Sequence, residues 1–236
     1  MKYSVIVPCY NEEDNICRLV EVLEKTAGHR KVEFILVENG SQDNTRQVLE
    51  ETCKDKNIFK IVRVDKNRGY GYGIICGMRA ATGDYIGWLH ADLQSSPESM
   101  MKFIDYIEKK AENKILFLKA VRRNRSLTDY FFTWGMAGFA TLVLCCNLYD
   151  IGAVPILFHK SLLKRFDKRI PYDFAIDTYV YYQAKRFGMD IKRFKIMMNK
   201  RVQGESSWNK GLMSRIRQSK IIMSDIIKIK KGVKVR

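Results

Sequence analysis

WLHADLQSSP, residues 88–97, follows directly on Tyr85-Ile86-Gly87 and places His90, Asp92 and Gln94 at alternate positions before a turn at Ser95-Ser96-Pro97. A short apolar run bounded by a turn reads as a buried strand. Its end therefore sets a histidine, a carboxylate and an amide on the lip of a sheet, groups suited to contact a metal or a phosphate.

Upstream, strand and helix signals alternate. Ser4–Pro8, Val32–Val37 and Ile58–Val64 are apolar runs of strand length. Asn11–Lys25 carries Ile16, Leu19, Val20 and Leu23 on one helical face, and Asn44–Lys54 and Tyr72–Ala81 also read as helices. Gly40-Ser41-Gln42-Asp43 supplies turn and capping residues before the second helix. Strands alternating with helices at this pace predict an α/β protein, with a mostly parallel, Rossmann-like twisted sheet and helices on both faces. Ligands of such sheets bind beyond the carboxyl ends of the strands. Here those ends are Pro8–Glu12, Glu38–Ser41, Asp65–Gly73 and His90–Gln94. A dinucleotide fold is excluded because the first strand–helix turn, PCYNEEDN, holds no glycine, and Gly69, Gly71, Gly73 and Gly77 do not fit G-x-G-x-x-G.

Charge is divided unevenly. Residues 1–120 carry 18 basic and 18 acidic side chains, residues 121–236 carry 24 and 8, and the net charge of +16 lies wholly in the back half. That balance predicts a polyanionic partner for the back half. No nucleic-acid-binding motif accompanies it, so nucleic acid is not the expected partner. The six cysteines are scattered without C-x-x-C spacing and read as reduced thiols, neither a disulfide framework nor a zinc site. Met1 leads straight into a strand, so no leader peptide is expected.

After the strand Ile115–Val121 and the cluster Arg122-Arg123-Asn124-Arg125 comes Tyr130–Cys146, seventeen residues without a charge and broken by Gly135 and Gly138. It is short for a membrane span and predicts a buried or interfacial helix pair. Ile151–Phe158 is a second apolar stretch. Leu212–Ile229 reads as a basic amphipathic helix with Leu212, Met213, Ile216, Met223, Ile226 and Ile227 toward one face.

The runs SVIVPCYNEEDNI, ILVENGSQDNT and NRGYGYGIICGMRAATGDYIGWLHADLQSSPE, in this order over residues 4–98, resemble the inverting glycosyltransferases of family 2. Those have the GT-A fold, and the similarity is greatest to the dolichol- or polyprenyl-phosphate sugar synthases. It resumes more weakly at Asp150, Asp177 and Arg201–Ser206. The resemblance implies one GT-A domain over 1–236, with a nucleotide-sugar-binding half (1–120) and a basic acceptor-binding half (121–236). It implies a nucleotide-diphosphate sugar donor, UDP- or GDP-linked, held by Pro8, Tyr10, Glu12, Glu38, Asn39, Gly40, Arg68, Gly69, Gly73, Ala91 and Asp92. Glu38-Asn39 stands where the family has two aspartates, giving a pocket one methylene deeper and one charge poorer.

His90-Ala91-Asp92-Leu93-Gln94 matches the family's D-x-D-x-Q, which implies a divalent metal, Mn²⁺ or Mg²⁺. Asp92 would be the main ligand, with Gln94 and His90 beside it. Imidazole suits Mn²⁺ better than Mg²⁺, and His90 could instead donate to sugar or phosphate, weakening the metal dependence. Asp92, Asp177 and Arg201 are the implied catalytic groups. Arg122, Arg123, Arg125, Arg201 and Ser206 are suited to an acceptor phosphate. The expected acceptor is a polyprenyl phosphate or lipid-linked glycan, the expected location cytoplasmic, peripheral on the inner face of the cytoplasmic membrane. An anionic membrane surface or a membrane partner protein would hold the chain there. Two alternatives stand beside this: transfer to a hydroxyl of a polysaccharide or soluble acceptor with Asp177 as base, and a catalytically silent nucleotide-sugar- or nucleic-acid-binding protein.

Overall fold

A computed structural model of the chain describes residues 1–110, 115–123, 127–167, 170–198 and 212–232. Its centre is a seven-stranded sheet of β1 (Tyr3–Cys9), β2 (Val32–Glu38), β3 (Phe59–Arg63), β4 (Tyr85–Trp88), β5 (Leu116–Arg123), β6 (Ile156–His159) and β7 (Asp190–Met197). The strand order is β3-β2-β1-β4-β6-β5-β7. All pairings are parallel except those of β6, which runs antiparallel to both β4 and β5. Two antiparallel steps restore the original direction. The carboxyl ends of β1, β2, β4 and β5 therefore share one edge.

Alternation along each strand builds two cores. Val5, Val7, Phe34, Leu36, Leu118 and Leu157 pack on one face beneath α1 (Glu13–Ala27), α2 (Thr45–Thr52) and α4 (Pro97–Lys110). Ile6, Ile35, Val37, Phe117, Ile156 and Phe158 join the other core, with α3 (Tyr70–Ala80), α6 (Ala175–Arg186) and α7 (Leu212–Lys231). The period of two along a pleated strand is what separates them. Apolar runs such as Val5–Val7 are buried on both faces, as expected of a parallel sheet covered on each side.

The back half departs from expectation at three places. Tyr130–Cys146 is not a helix pair: most of it lies in one helix, α5 (Leu127–Leu144), of which only Ala137, Ala140 and Leu144 are buried. Gly135 and Gly138 do not break it, and a Cβ at either would meet nothing within 4 Å. Along α7 the buried residues include Asp225, Ile226 and Ile229, whereas Met213 and Ile227, expected on the same face as Ile226, are exposed. The Ile151–Phe158 stretch divides into a loop and the antiparallel strand β6.

Gly87 marks where β6 is inserted: a Cβ there would stand 2.1 Å from the Ile156 carbonyl oxygen. Backbone held by a sheet ladder cannot give way, so Gly87→Ala should cost about 3 kcal/mol, the upper end of ordinary overpacking. A urea midpoint unchanged from wild type would contradict this pairing.

Candidate functional site

Three turns at the strand ends form one wall of the cleft. Asn11 adopts φ 52, its N–H donates to Ser41 Oγ at 3.2 Å, and its Oδ1 accepts from the Gln42 N–H at 2.9 Å. The Glu12 N–H donates to Thr45 Oγ1 (2.8 Å), and the Asn39 N–H to the Cys9 carbonyl (2.9 Å). Gly40, at φ 71, brings the β2 turn against Lys66 and Asn67, where a Cβ would lie 2.4 Å from the Asn67 nitrogen. Pro8, Tyr10 and Glu12 line the first turn, with Tyr10 exposed.

Glu38 is buried and curls back, its Oε1 accepting from the Ser41 N–H at 2.6 Å. The added methylene is spent on reaching that amide, and the carboxylate closes its own turn. Asn39 is buried as well. Its Nδ2 donates to the Gly69 carbonyl (3.2 Å), while its Oδ1 has no hydrogen-bond partner.

The glycines after β3 meet a different neighbour from the phosphate that their position brings to mind. A Cβ on Gly69 would stand 2.3 Å from the Tyr172 carbonyl oxygen, one on Gly71 2.5 Å from that of Pro171, and one on Gly73 3.0 Å from the Asn39 side chain. The Tyr72 N–H donates to the Tyr172 carbonyl (3.1 Å) and the Gly73 N–H to that of Gly69 (3.3 Å). The start of α3 is thus packed under residues 171–173. Arg68 is exposed and stacks its guanidinium over Tyr72, 5.1 Å from the ring centre.

Beyond β4, Ala91 and Asp92 are buried, and Leu93 takes φ 55 so that Asp92 Oδ1 accepts the Gln94 N–H at 3.1 Å. His90 is half-buried with its ring 5.2 Å from that of Tyr70, which stacks on Phe174 at 4.9 Å. No group of three or more His, Cys, Asp or Glu converges among the described residues, so no complete metal cage is built there. A divalent cation carried by a diphosphate needs only one or two protein carboxylates, the rest being phosphate and water oxygens. Asp92 with the Gln94 amide fits such an ion. His90, with its ring tilted against that of Tyr70, is placed by an aromatic contact.

Asp177 lies in the first turn of α6, 3% exposed, its Oδ1 accepting from Trp88 Nε1 at 3.0 Å. Burial raises its carboxyl above the usual range, opposed by Lys119, His90 and Arg122. Lys119 is completely buried in β5. Its Nζ donates to the Ala153 (2.8 Å) and Ile151 (3.3 Å) carbonyls, and burial lowers its pKa to about 8. Asp150, at φ 44, accepts from the Arg122 N–H (2.9 Å) and Nε (3.0 Å), and also from one terminal guanidinium nitrogen. Arg122 and Asp150 make a buried fork-to-carboxylate pair that keeps Asp150 well ionised.

Beside that pair opens a groove of about 450 Å³ lined by Val121, Arg122, Arg123, Leu127, Tyr130, Phe131, Trp134 and Tyr149. Arg125, Arg201 and Ser206 lie outside the described residues.

Sequence reading missed Lys119, Tyr70, Phe174 and Asp173. A lysine inside the apolar run Leu116–Val121 was the available signal for the first. The others depend on the 171–174 loop reaching α3, which nothing local announces.

The family model described as Glycosyl transferase family 2 matches residues 4–166. The chain belongs to glycosyl transferase family 2. Among curated relatives, the undecaprenyl-phosphate 4-deoxy-4-formamido-L-arabinose transferase of Proteus mirabilis (strain HI4320) is 36% identical over 107 residues, covering 44% of this chain and 32% of that protein. The dolichol-phosphate mannosyltransferase of Pyrococcus furiosus (strain ATCC 43587 / DSM 3638 / JCM 8422 / Vc1) is 33% identical over 108 residues, covering 46% and 30%. The matched segment spans about a third of the length of these relatives. In fold, the chain is similar to glucosyl-3-phosphoglycerate synthase from Mycobacterium tuberculosis, solved with Mn²⁺, UDP and phosphoglyceric acid. The TM-score is 0.71 at 15% identity, over 98% of this chain and 79% of that one. The architecture is GT-A, as the motifs implied.

Asp173, in the loop under which α3 starts, caps the Ala175 N–H (2.8 Å) and hydrogen-bonds the buried Asp225 of α7, which also pairs with Lys228 at 2.6 Å. Burial and the Asp225 carboxyl raise the Asp173 pKa from 3.8 to about 7. The folded state thus holds this proton more tightly than the unfolded chain. The stabilisation is complete below pH 3.8 and is lost as pH rises through about 7. Asp173→Asn, which keeps a donor toward Asp225, should gain in melting temperature relative to wild type as pH rises from about 5 to about 8. Parallel Tm–pH curves would refute a shared proton.

Proposed function

We propose that the chain is an inverting glycosyltransferase that moves a sugar from a UDP- or GDP-linked donor to a polyprenyl phosphate or lipid-linked glycan at the cytoplasmic face of the membrane. One observation carries this reading: the donor-side groups Glu38 and Asp92 stand on the same sheet edge as an aromatic groove that holds two arginines. A phosphate would sit by Arg123, with an isoprenoid chain along Leu127, Phe131 and Trp134. Arg122 is engaged by Asp150 and fixes the groove's floor. The names of the sequence relatives support a polyprenyl-phosphate acceptor.

In this reading the acceptor phosphate oxygen attacks the anomeric carbon as the bond to the donor diphosphate breaks, and configuration inverts. The acceptor is already an anion, so no strong base is required. Asp177 suits that chemistry: tied to Trp88 and buried, it braces the site better than it would deprotonate a hydroxyl. A bound divalent metal would neutralise the leaving diphosphate, held by Asp92 and Gln94. The Glu38 turn would meet the nucleobase, and Pro8, Tyr10, Glu12 and Gly40 the nucleoside. Arg68 and His90 border the diphosphate from opposite turns. Among the described residues no helix is long and apolar enough to cross a membrane.

Thermal shifts with UDP, GDP, CDP and dTDP, each with and without Mn²⁺, test the donor. One nucleotide at a hundred times its Kd should stabilise by about 2.7 kcal/mol, and Asp92→Asn should abolish the metal's increment. Indifference to all four would sink the donor assignment. On the acceptor side, Arg123→Gln should raise KM for an isoprenyl phosphate about tenfold, the worth of one charged hydrogen bond. Nucleotide affinity should be unchanged.

A further inference from the structure

The exposed face of α5 is apolar for the whole length of the helix. Leu127 is 87% exposed, Phe131 76%, Trp134 61% and Leu142 80%, with the exposed Gly135 and Gly138 between them. At 3.6 residues per turn these six fall within a stripe about 100° wide. The opposite side of the helix is occupied: Ala140 and Leu144 share a core cluster with Ile226 and Ile229 of α7. A continuous apolar ridge of this kind marks a surface that something covers.

Basic groups stand at both ends of the ridge. Arg122 and Arg123 line the groove with Leu127, Tyr130, Phe131 and Trp134 at its start. At its finish Lys230 Nζ lies 3.7 Å from Cys145 Sγ, followed by the exposed Lys231. Tyr130 and Trp134, with ring centres 6.0 Å apart, provide amphipathic rings where groove meets ridge. The helix would reach about 27 Å and is not a spanning segment. An apolar stripe with aromatic edges and cationic ends matches the plane between acyl chains and anionic headgroups.

We propose that the α5 ridge lies in the interfacial plane of an anionic lipid bilayer, with Arg123 at one end and Lys230 and Lys231 at the other on its headgroups. The inference deepens the acceptor reading, and rests on it for the choice of a bilayer over a protein surface. The arginine groove opens onto the ridge, so an isoprenoid phosphate would enter it along the bilayer surface without leaving lipid.

The test is flotation of the full chain with vesicles of phosphatidylglycerol and phosphatidylcholine, against phosphatidylcholine alone, with no isoprenoid phosphate in either. Wild type should float with the anionic vesicles. Leu142→Asp, outside the groove, should lower binding at least tenfold, and Leu142→Phe should retain it. Lys230→Glu with Lys231→Glu should also lower it, by roughly fivefold for each basic charge lost. A melting curve confirms that each variant is folded. Failure of wild type to float overturns the proposal. So does binding that falls with salt yet ignores Leu142→Asp, which would reflect the basic surface alone. Vesicle-independent self-association that Leu142→Asp abolishes would assign the ridge to a second copy of this chain instead. Transfer to a detergent-dispersed isoprenyl phosphate is assayed separately: flotation without transfer sinks the acceptor reading and leaves the bilayer contact supported.

Discussion

The ammonium of Lys119 is sealed inside the protein, and much of the back half is arranged around it. A buried charge costs several kcal/mol unless its donors are satisfied and an opposite charge is near. Two carbonyls, of Ile151 and Ala153, take up two of its three N–H donors, and Asp150 and Asp177 supply the field. Those carbonyls reach Nζ only if the 150–155 loop folds inward over β5. That loop also places Asp150 on Arg122, receives Ser95 Oγ at the Val154 carbonyl (3.3 Å) and leads into β6. One cation thus ties the Asp92–Gln94 turn, the arginine groove and the antiparallel strand into one unit.

Insertion of β6 is the topological counterpart. Because it runs against both neighbours, β4 and β5 point the same way although they are not paired with each other. Asp92 beyond β4 and Arg123 at the end of β5 then lie at the same edge of the sheet.

The front half was legible because its signals are local and redundant. Apolar runs of strand length in β1 and β2 and helix periodicity in α1 pointed to one parallel sheet, and a glycine-free first turn excluded a dinucleotide fold. The back half was not. α6 and β7 escaped because their alternation is blurred by polar and charged residues, as in Asp190–Met197. α5 was misjudged for a different reason: an uncharged run has no polar face, and hydrophobicity alone says that a segment is covered without saying by what. Composition left it buried or interfacial, and the structure buries only Ala137, Ala140 and Leu144 of the helix. Gly69 and Gly71 show a subtler limit. Their need for close backbone approach was readable, but the approaching chain, residues 171–173, comes from a hundred residues away.

The same distinction bears on the charge. The excess of basic residues invites a search for a cationic active site, yet the cations nearest the cleft are largely balanced: Arg122 by Asp150, and Lys119 by two carbonyls and two aspartates. Lys228, on the far helix, is taken by Asp225. Buried positive charge here is structural, because the interior tolerates it only when paired. The unbalanced remainder stands on the surface, where water screens any single contact and only the summed field acts over a Debye length. Such a field cannot select one phosphate from another; it can hold an extended anionic surface near the cleft. The chemistry in the cleft must then rest on a few fixed groups, while the net charge of +16 acts as a summed field around them.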